Sequence, residues 1–191
     1  MNSNRQALDR FLSEIASESV TPAGGTATAV VGAVGASLCE MVCIHTVEAD
    51  GATELVDARE ALREQRGHLL DLAEADASVV DDLFGGADGQ PDESGIKRSI
   101  GVPLTIAESC LTVLELAVDV TATGNRTAVA DAATGVMLTH AAFRAALFTV
   151  QSNLSQSADP AFVADIERRV AELEDRADEA YDRAVRHAQR E

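Results

Sequence analysis

A chain of 191 residues is long enough for one well-packed domain. With 46% hydrophobic and 25% charged residues, its composition is globular rather than disordered or fibrous. Thirty-two acidic residues against 15 basic ones leave a formal net charge of −17, which argues against nucleic acid as a partner because no basic patch can neutralise phosphates. Such a chain repels itself in dilute salt, and screening relieves the repulsion. The expectation is a cytoplasmic protein of a salt-accumulating halophile, against the plainer alternative of an ordinary acidic enzyme. Aromatics are only 3% of the residues, so Ala, Val, Leu and Ile must fill the core, which suits closely packed helices.

In chain order, Ala7, Phe11, Leu12 and Ile15 give a short first helix. Ser17 to Ala23 reads as a loop, since Pro22 disfavours helical backbone at Thr21. From Gly24 to Val47 follows a nearly uncharged run whose small residues recur at three and four: Gly24, Thr28, Gly32 and Ala36, beside Gly35, Cys39 and Cys43. The run is long enough to span a bilayer. It is nonetheless poor in Leu, Ile and Phe, contains Ser37, Glu40 and His45, and lacks aromatic belts, so a buried central helix and no membrane are expected. Asp50-Gly51 ends it.

Ala52 to Phe84 carries an inner face of Leu55, Leu62, Leu69, Leu72, Val79 and Leu83, and Gly85 to Pro91 is a linker. Ile100, Leu104, Ala107, Leu111, Leu114 and Val118 mark a fourth helix, with Pro103 placed in its first turn and Gly124-Asn125 as its stop. Val129 to Leu154 is a second nearly uncharged helix, and Phe162, Ile166, Val170, Leu173, Ala177 and Tyr181 line the last. No strand alternation, repeat or domain boundary is visible. The fold class expected is all-α, a single helical bundle over residues 1–191. Two helices apolar all round are more than one chain of this size covers easily, so a dimer is expected.

Cys39, Cys43 and Cys110 form no disulfide framework, and no His or carboxylate cluster joins them at zinc-like spacing. They read as buried thiols, and no metal is expected. The N-terminal Met-Asn-Ser-Asn-Arg lacks the apolar core of a secretory signal. Phosphate-cradling, nucleotide-binding and nucleophile-elbow motifs are absent. What remain are polar residues stranded in apolar surroundings. Asp76 lies beside the inner face of its helix, where the alternative is a solvated position. Asp131, near a helix start, has the alternative of capping first-turn N–H groups. Glu40 and His45 read as satisfied core groups. Gly24-Gly25, opening a buried helix after Thr21-Pro22, would let a ligand approach backbone N–H groups.

The sequences Thr21-Pro-Ala-Gly-Gly-Thr-Ala, Ala36-Ser-Leu-Cys-Glu-Met-Val, Glu74-Ala-Asp76-Ala, Val102-Pro-Leu and Gly124-Asn125 followed by Ala130-Asp131-Ala occur in a telling order. In that order they resemble the cyclodeaminase/cyclohydrolase family. It includes the C-terminal domain of formiminotransferase-cyclodeaminase and stand-alone methenyltetrahydrofolate cyclohydrolases. The resemblance covers about residues 5 to 155 and implies an all-helical homodimer that acts on the formimino or methenyl group of a tetrahydrofolate. That folate is a substrate, with no prosthetic group implied. It assigns the proton acceptor to Asp76 and substrate binding to Thr21, Pro22, Gly24, Gly25, Asn125, Arg126 and Asp131. The chain departs from the family pattern at Ala23, Thr127 and Ala130. Lys97, Arg98, Arg126 and Arg144 are the candidate cations for the anionic folate tail. The alternative is a non-catalytic helical dimer that kept the fold as a ligand-binding or regulatory relative.

Overall fold

Helical periodicity is realised as helix almost wherever it occurs in the sequence. A computed structural model describes residues 3–50, 55–84 and 92–190. The order is α1 (Ser3–Ile15), α2 (Gly24–Asp50), α3 (Val56–Phe84), α4 (Glu93–Thr123), α5 (Val129–Leu154) and α6 (Pro160–Ala188). No strand occurs among the described residues, so the all-α expectation holds. The expected breaks at Gly51 and from Gly85 to Pro91 lie outside the described residues.

The core is aliphatic, as the composition requires. Phe143, Leu62, Leu69, Ile106, Leu114 and Leu147 are its largest members, each at most 2% exposed. Burying one such side chain contributes roughly 1.5–3 kcal/mol. α2 packs between α3 and α5, while α4 packs on α3, α5 and α6. Within this layer α2 and α5 run antiparallel, as three contacts along their length show. Gly35 meets Gly135 and Thr139, Cys39 meets Ala132, and the Asn125 N–H donates to Thr46 Oγ1 at 2.8 Å. Their approach is close because position 35 has no side chain: a Cβ there would lie 2.7 Å from the Gly135 carbonyl oxygen. The three cysteines are buried free thiols, and burial pushes Cys39 and Cys110 up to about 12 and Cys43 up to about 11. They stay protonated and unreactive at neutral pH.

As expected of two nearly uncharged helices in one chain of this size, α2 and α5 are not covered on every face. Val31 and Val34 on α2, and Met137 and Phe148 on α5, are 36%, 46%, 49% and 71% exposed. Length and composition would let α2, α4 and α5 cross a membrane. In this fold all three contribute to one shared core. Two expectations are corrected. First, His45 is exposed rather than a core group, although Glu40 is satisfied by Arg66 at 3.0 Å. Second, α4 starts at Glu93, where the Asp92 side chain accepts from the Gly95 N–H at 2.7 Å. Pro103 is therefore in the helix interior and not in its first turn. The stop at Gly124 is as expected, with its N–H donating to the Val120 C=O.

An interior proline has a local cost. It removes the N–H that would bond to the carbonyl four residues earlier, here that of Ser99. The Asn153 side chain, from the end of α5, supplies a substitute: its Nδ2 donates to the Ser99 C=O at 2.8 Å.

Candidate active site

α2 begins without a side-chain cap of its own. Its first turn is Gly24-Gly25-Thr26, and the N–H groups there need acceptors. Asp76 provides one from α3. Thr26 donates its hydroxyl to Asp76 Oδ2 at 3.0 Å and its backbone N–H to the same carboxylate. Asp76 is only 6% exposed, which rules out the solvated position weighed from sequence. Two opposed effects act on it. Burial raises its pKa, while the two Thr26 hydrogen bonds lower it, and burial wins, so the carboxyl sits above its ordinary value.

The carboxylate borders a cavity of about 400 Å³ at the N-terminal end of α2. Gly24 and Gly25 form part of the floor, and Val79, Val102 and Pro103 make apolar walls. Ser99, Thr149, Asn153 and Gln156 add a polar side that the sequence reading missed. An interior proline, leaving a carbonyl free, together with an amide at the end of an apolar helix, was the available signal. A buried carboxyl in a lining that is mostly apolar, with a few polar groups, is able to hold a flat heterocycle and to take up a proton from a bound molecule.

Of the residues expected to bind substrate, Gly24 and Gly25 line this cavity with Asp76. Thr21 and Pro22 adjoin it without lining it, and the Thr21 hydroxyl donates instead to Asp81 Oδ1 at 2.9 Å, tying the loop to α3. Asn125, Arg126 and Asp131 are not brought there within one chain. Asn125, with Arg126 next to it, sits toward the far end of α2 beside Thr46, about 30 Å away at the rise of an α-helix, while Asp131 adjoins Ala132, which meets Cys39 of α2. Asn125 Oδ1 accepts from the Thr127 N–H at 2.9 Å and its hydroxyl at 2.7 Å, closing a small turn. Asp131 is exposed on the first turn of α5. Among the candidate cations, Lys97 pairs with Asp159 at 2.7 Å, Arg98 with Asp82 at 3.1 Å and Arg144 with Glu174 at 3.0 Å. Arg126 is exposed. No cluster of three or more potential metal-ligating side chains occurs among the described residues.

The sequence profile of the family described as Formiminotransferase-cyclodeaminase matches residues 7–172. A protein of Methylorubrum extorquens named methenyltetrahydrofolate cyclohydrolase is 31% identical over 185 residues, covering 88% of each chain. The crystal structure of formiminotetrahydrofolate cyclodeaminase from Thermotoga maritima superposes with a TM-score of 0.90 over 98% of both chains, at 24% identity, and so shares the fold. Profile and relative both span most of the chain, and the chain belongs to the formiminotransferase-cyclodeaminase family.

Proposed function

We propose that this protein is a folate one-carbon enzyme acting on the methenyl or formimino group of tetrahydrofolate, with Asp76 as its general base. The observation that carries this reading is the buried Asp76 carboxylate facing a cavity at the start of α2. The names carried by the cyclohydrolase relative and the cyclodeaminase structure support the substrate class.

In the hydrolase reaction, water adds to the methenyl carbon, which lies between two nitrogens and carries their shared positive charge. Asp76 takes the proton from the attacking water as the C–O bond forms. The tetrahedral carbon then collapses: its hydroxyl gives up a proton to solvent as one C–N bond breaks, the departing nitrogen takes back the proton held by Asp76, and the formyl group stays on the other nitrogen. In the deaminase reaction the ring-closing nitrogen attacks the formimino carbon, loses its proton to Asp76, and ammonia leaves after receiving a proton. A single carboxylate serves both routes, and it stabilises the cationic carbon in either. Gly24 and Gly25 let the ring lie against backbone.

The working unit in this reading is a cytoplasmic homodimer, each chain forming one domain across residues 1–191. The apolar stripe of Val31, Val34, Met137 and Phe148 supports it, because copies of charge −17 repel except across an uncharged face. α1 adds Leu8 and Leu12, 59% and 54% exposed. Two copies meeting with α2 antiparallel to its counterpart would bring the Asn125 turn of one to the cavity of the other. Asn125 and Asp131 would then hold the outer pterin edge, and Arg126 the anionic tail.

The test is loss of methenyltetrahydrofolate absorbance, or release of ammonia from formiminotetrahydrofolate, with purified protein and with Asp76→Asn. Turnover abolished by the variant supports the reading. A second reading, a non-catalytic relative, is favoured by the role of Asp76 as a cap for α2. No turnover of either substrate by the wild type selects it.

A further inference from the structure

Pro103 and Asn153 together define a polar group that neither capping nor core packing accounts for. Because position 103 has no N–H, the Ser99 C=O lacks its i+4 donor within α4, and Asn153 Nδ2 supplies a substitute at 2.8 Å. That bond fixes the amide's orientation, since turning it over would set two oxygens against each other. Asn153 Oδ1 is left with one long partner, Gln156 Nε2 at 3.5 Å. Ser99, Pro103, Asn153 and Gln156 all line the cavity that holds Asp76. The cavity lining thus includes both a buried carboxyl and a positioned, under-used acceptor.

We propose that Asn153 determines specificity at this site. Its Oδ1 accepts an N–H from the edge of the substrate's fused ring, and the carbonyl left free by Pro103 holds it in place. The proposal rests on the folate reading, whose fused ring offers such N–H groups, and adds to it the residue that reads the ring. Asn153 acts on binding and Asp76 on the proton, so their variants differ in kind. A site built to bond a ring N–H rejects a ligand that leaves its acceptor unpaired, and losing the acceptor weakens binding about tenfold.

The experiment measures KM and kcat for methenyltetrahydrofolate with wild type, Asn153→Ala and Pro103→Ala, alongside thermal melts of each. Asn153→Ala is expected to raise KM about tenfold or more with kcat within about threefold. Pro103→Ala lets residue 103 donate to the Ser99 C=O, loosening Asn153. It is expected to keep or raise the melting temperature while raising KM severalfold, a divergence that a purely structural role does not produce. Unchanged KM in Asn153→Ala overturns the proposal, as does an effect confined to kcat. Unchanged KM in Pro103→Ala overturns the positioning by the Ser99 carbonyl. A wild type that turns over neither folate defeats the folate reading itself, which separates the two failures.

Discussion

A Cβ on Gly25 would lie 2.5 Å from Asp76 Cγ, so the carboxyl group fills the space any side chain at position 25 would need. The glycine and the Asp76 carboxyl are therefore one unit. Alanine at 25 must push Asp76 away from Thr26 and from the first turn of α2. Overpacking of this kind costs about 1–3 kcal/mol, which the fold survives. The catalytic geometry does not, since displacement by about 1 Å costs on the order of a hundredfold. Gly25→Ala is expected to lose about that much kcat/KM while still melting cooperatively. Gly67→Ala, in α3 with nothing within 4 Å of the added Cβ, serves as the control and should gain about 0.4–1 kcal/mol. Wild-type rates in Gly25→Ala would show that Asp76 does not act from where it stands.

The raised pKa of Asp76 gives two opposite pH signatures. As a base it must be ionised, so kcat/KM falls as pH drops through the raised value, above the ordinary carboxylate range. For stability the sign reverses. A carboxyl whose folded pKa exceeds its unfolded one binds its proton more tightly when folded. That contribution is fully present below the unfolded pKa and is lost as pH rises through the folded one. Asp76→Asn, uncharged throughout and able to keep the Thr26 bonds, should melt above wild type at neutral pH. The gap should close as pH falls toward the unfolded carboxylate range. The same substitution should cost about 10²–10⁴ in rate. A variant that is less stable than wild type at neutral pH would mean that the charge on Asp76 is needed for the α2 cap.

What could be read from sequence was whatever follows from periodicity and local chemistry. The α5 helix was expected over 129–154 and is found there, and α6 starts at Pro160, right after its Asp159 cap. Asp76 was found through resemblance, since its own neighbours suggest a solvated position; burial beneath α2's first turn depends on a contact 50 residues away. Pro103 reads as a first-turn residue because proline is common at helix starts, whereas α4 begins after the Asp92 cap eleven residues earlier. Asn153 was missed because its role comes from the missing N–H of Pro103, on another helix. Asn125, Arg126 and Asp131 were grouped with Asp76 by resemblance, whereas within one chain the length of α2 separates them. Sequence order does not tell which end of a long helix a loop adjoins.

The acidic surface yields a prediction about salt. Most ion pairs on α6 are exposed, including Arg168 with Glu172 at 62% and 61% side-chain exposure, and such pairs contribute little. The excess negative charge is thus offset mainly by solvent ions. Raising KCl from about 0.1 M to 1 M shortens the screening length from about 10 Å to about 3 Å. The melting temperature is expected to rise by about 10 °C over that range, a gain of a few kcal/mol for a chain this size. Differential scanning fluorimetry across the salt series checks it. A flat profile would assign the charge to an ordinary acidic protein.

The separation of Asp76 from Arg126 makes the dimer testable by complementation. If each active site takes Asp76 from one subunit and Arg126 from the other, Asp76→Asn and Arg126→Ala homodimers are both impaired. Mixing and re-annealing them gives heterodimers in half of the population. Each heterodimer carries one site with both residues intact and one with neither, so activity should recover to about one quarter of wild type. If both residues served the same site within one chain, every site would lack one of them and mixing would restore nothing. Val34→Glu supplies the companion measurement. A buried unpaired carboxylate at each half of an apolar interface costs several kcal/mol. The variant should sediment as a monomer and lose activity, with its helicity retained. A Val34→Glu protein that stays dimeric would move the interface off the α2–α5 face, and an active monomer would remove any need for the partner's Arg126.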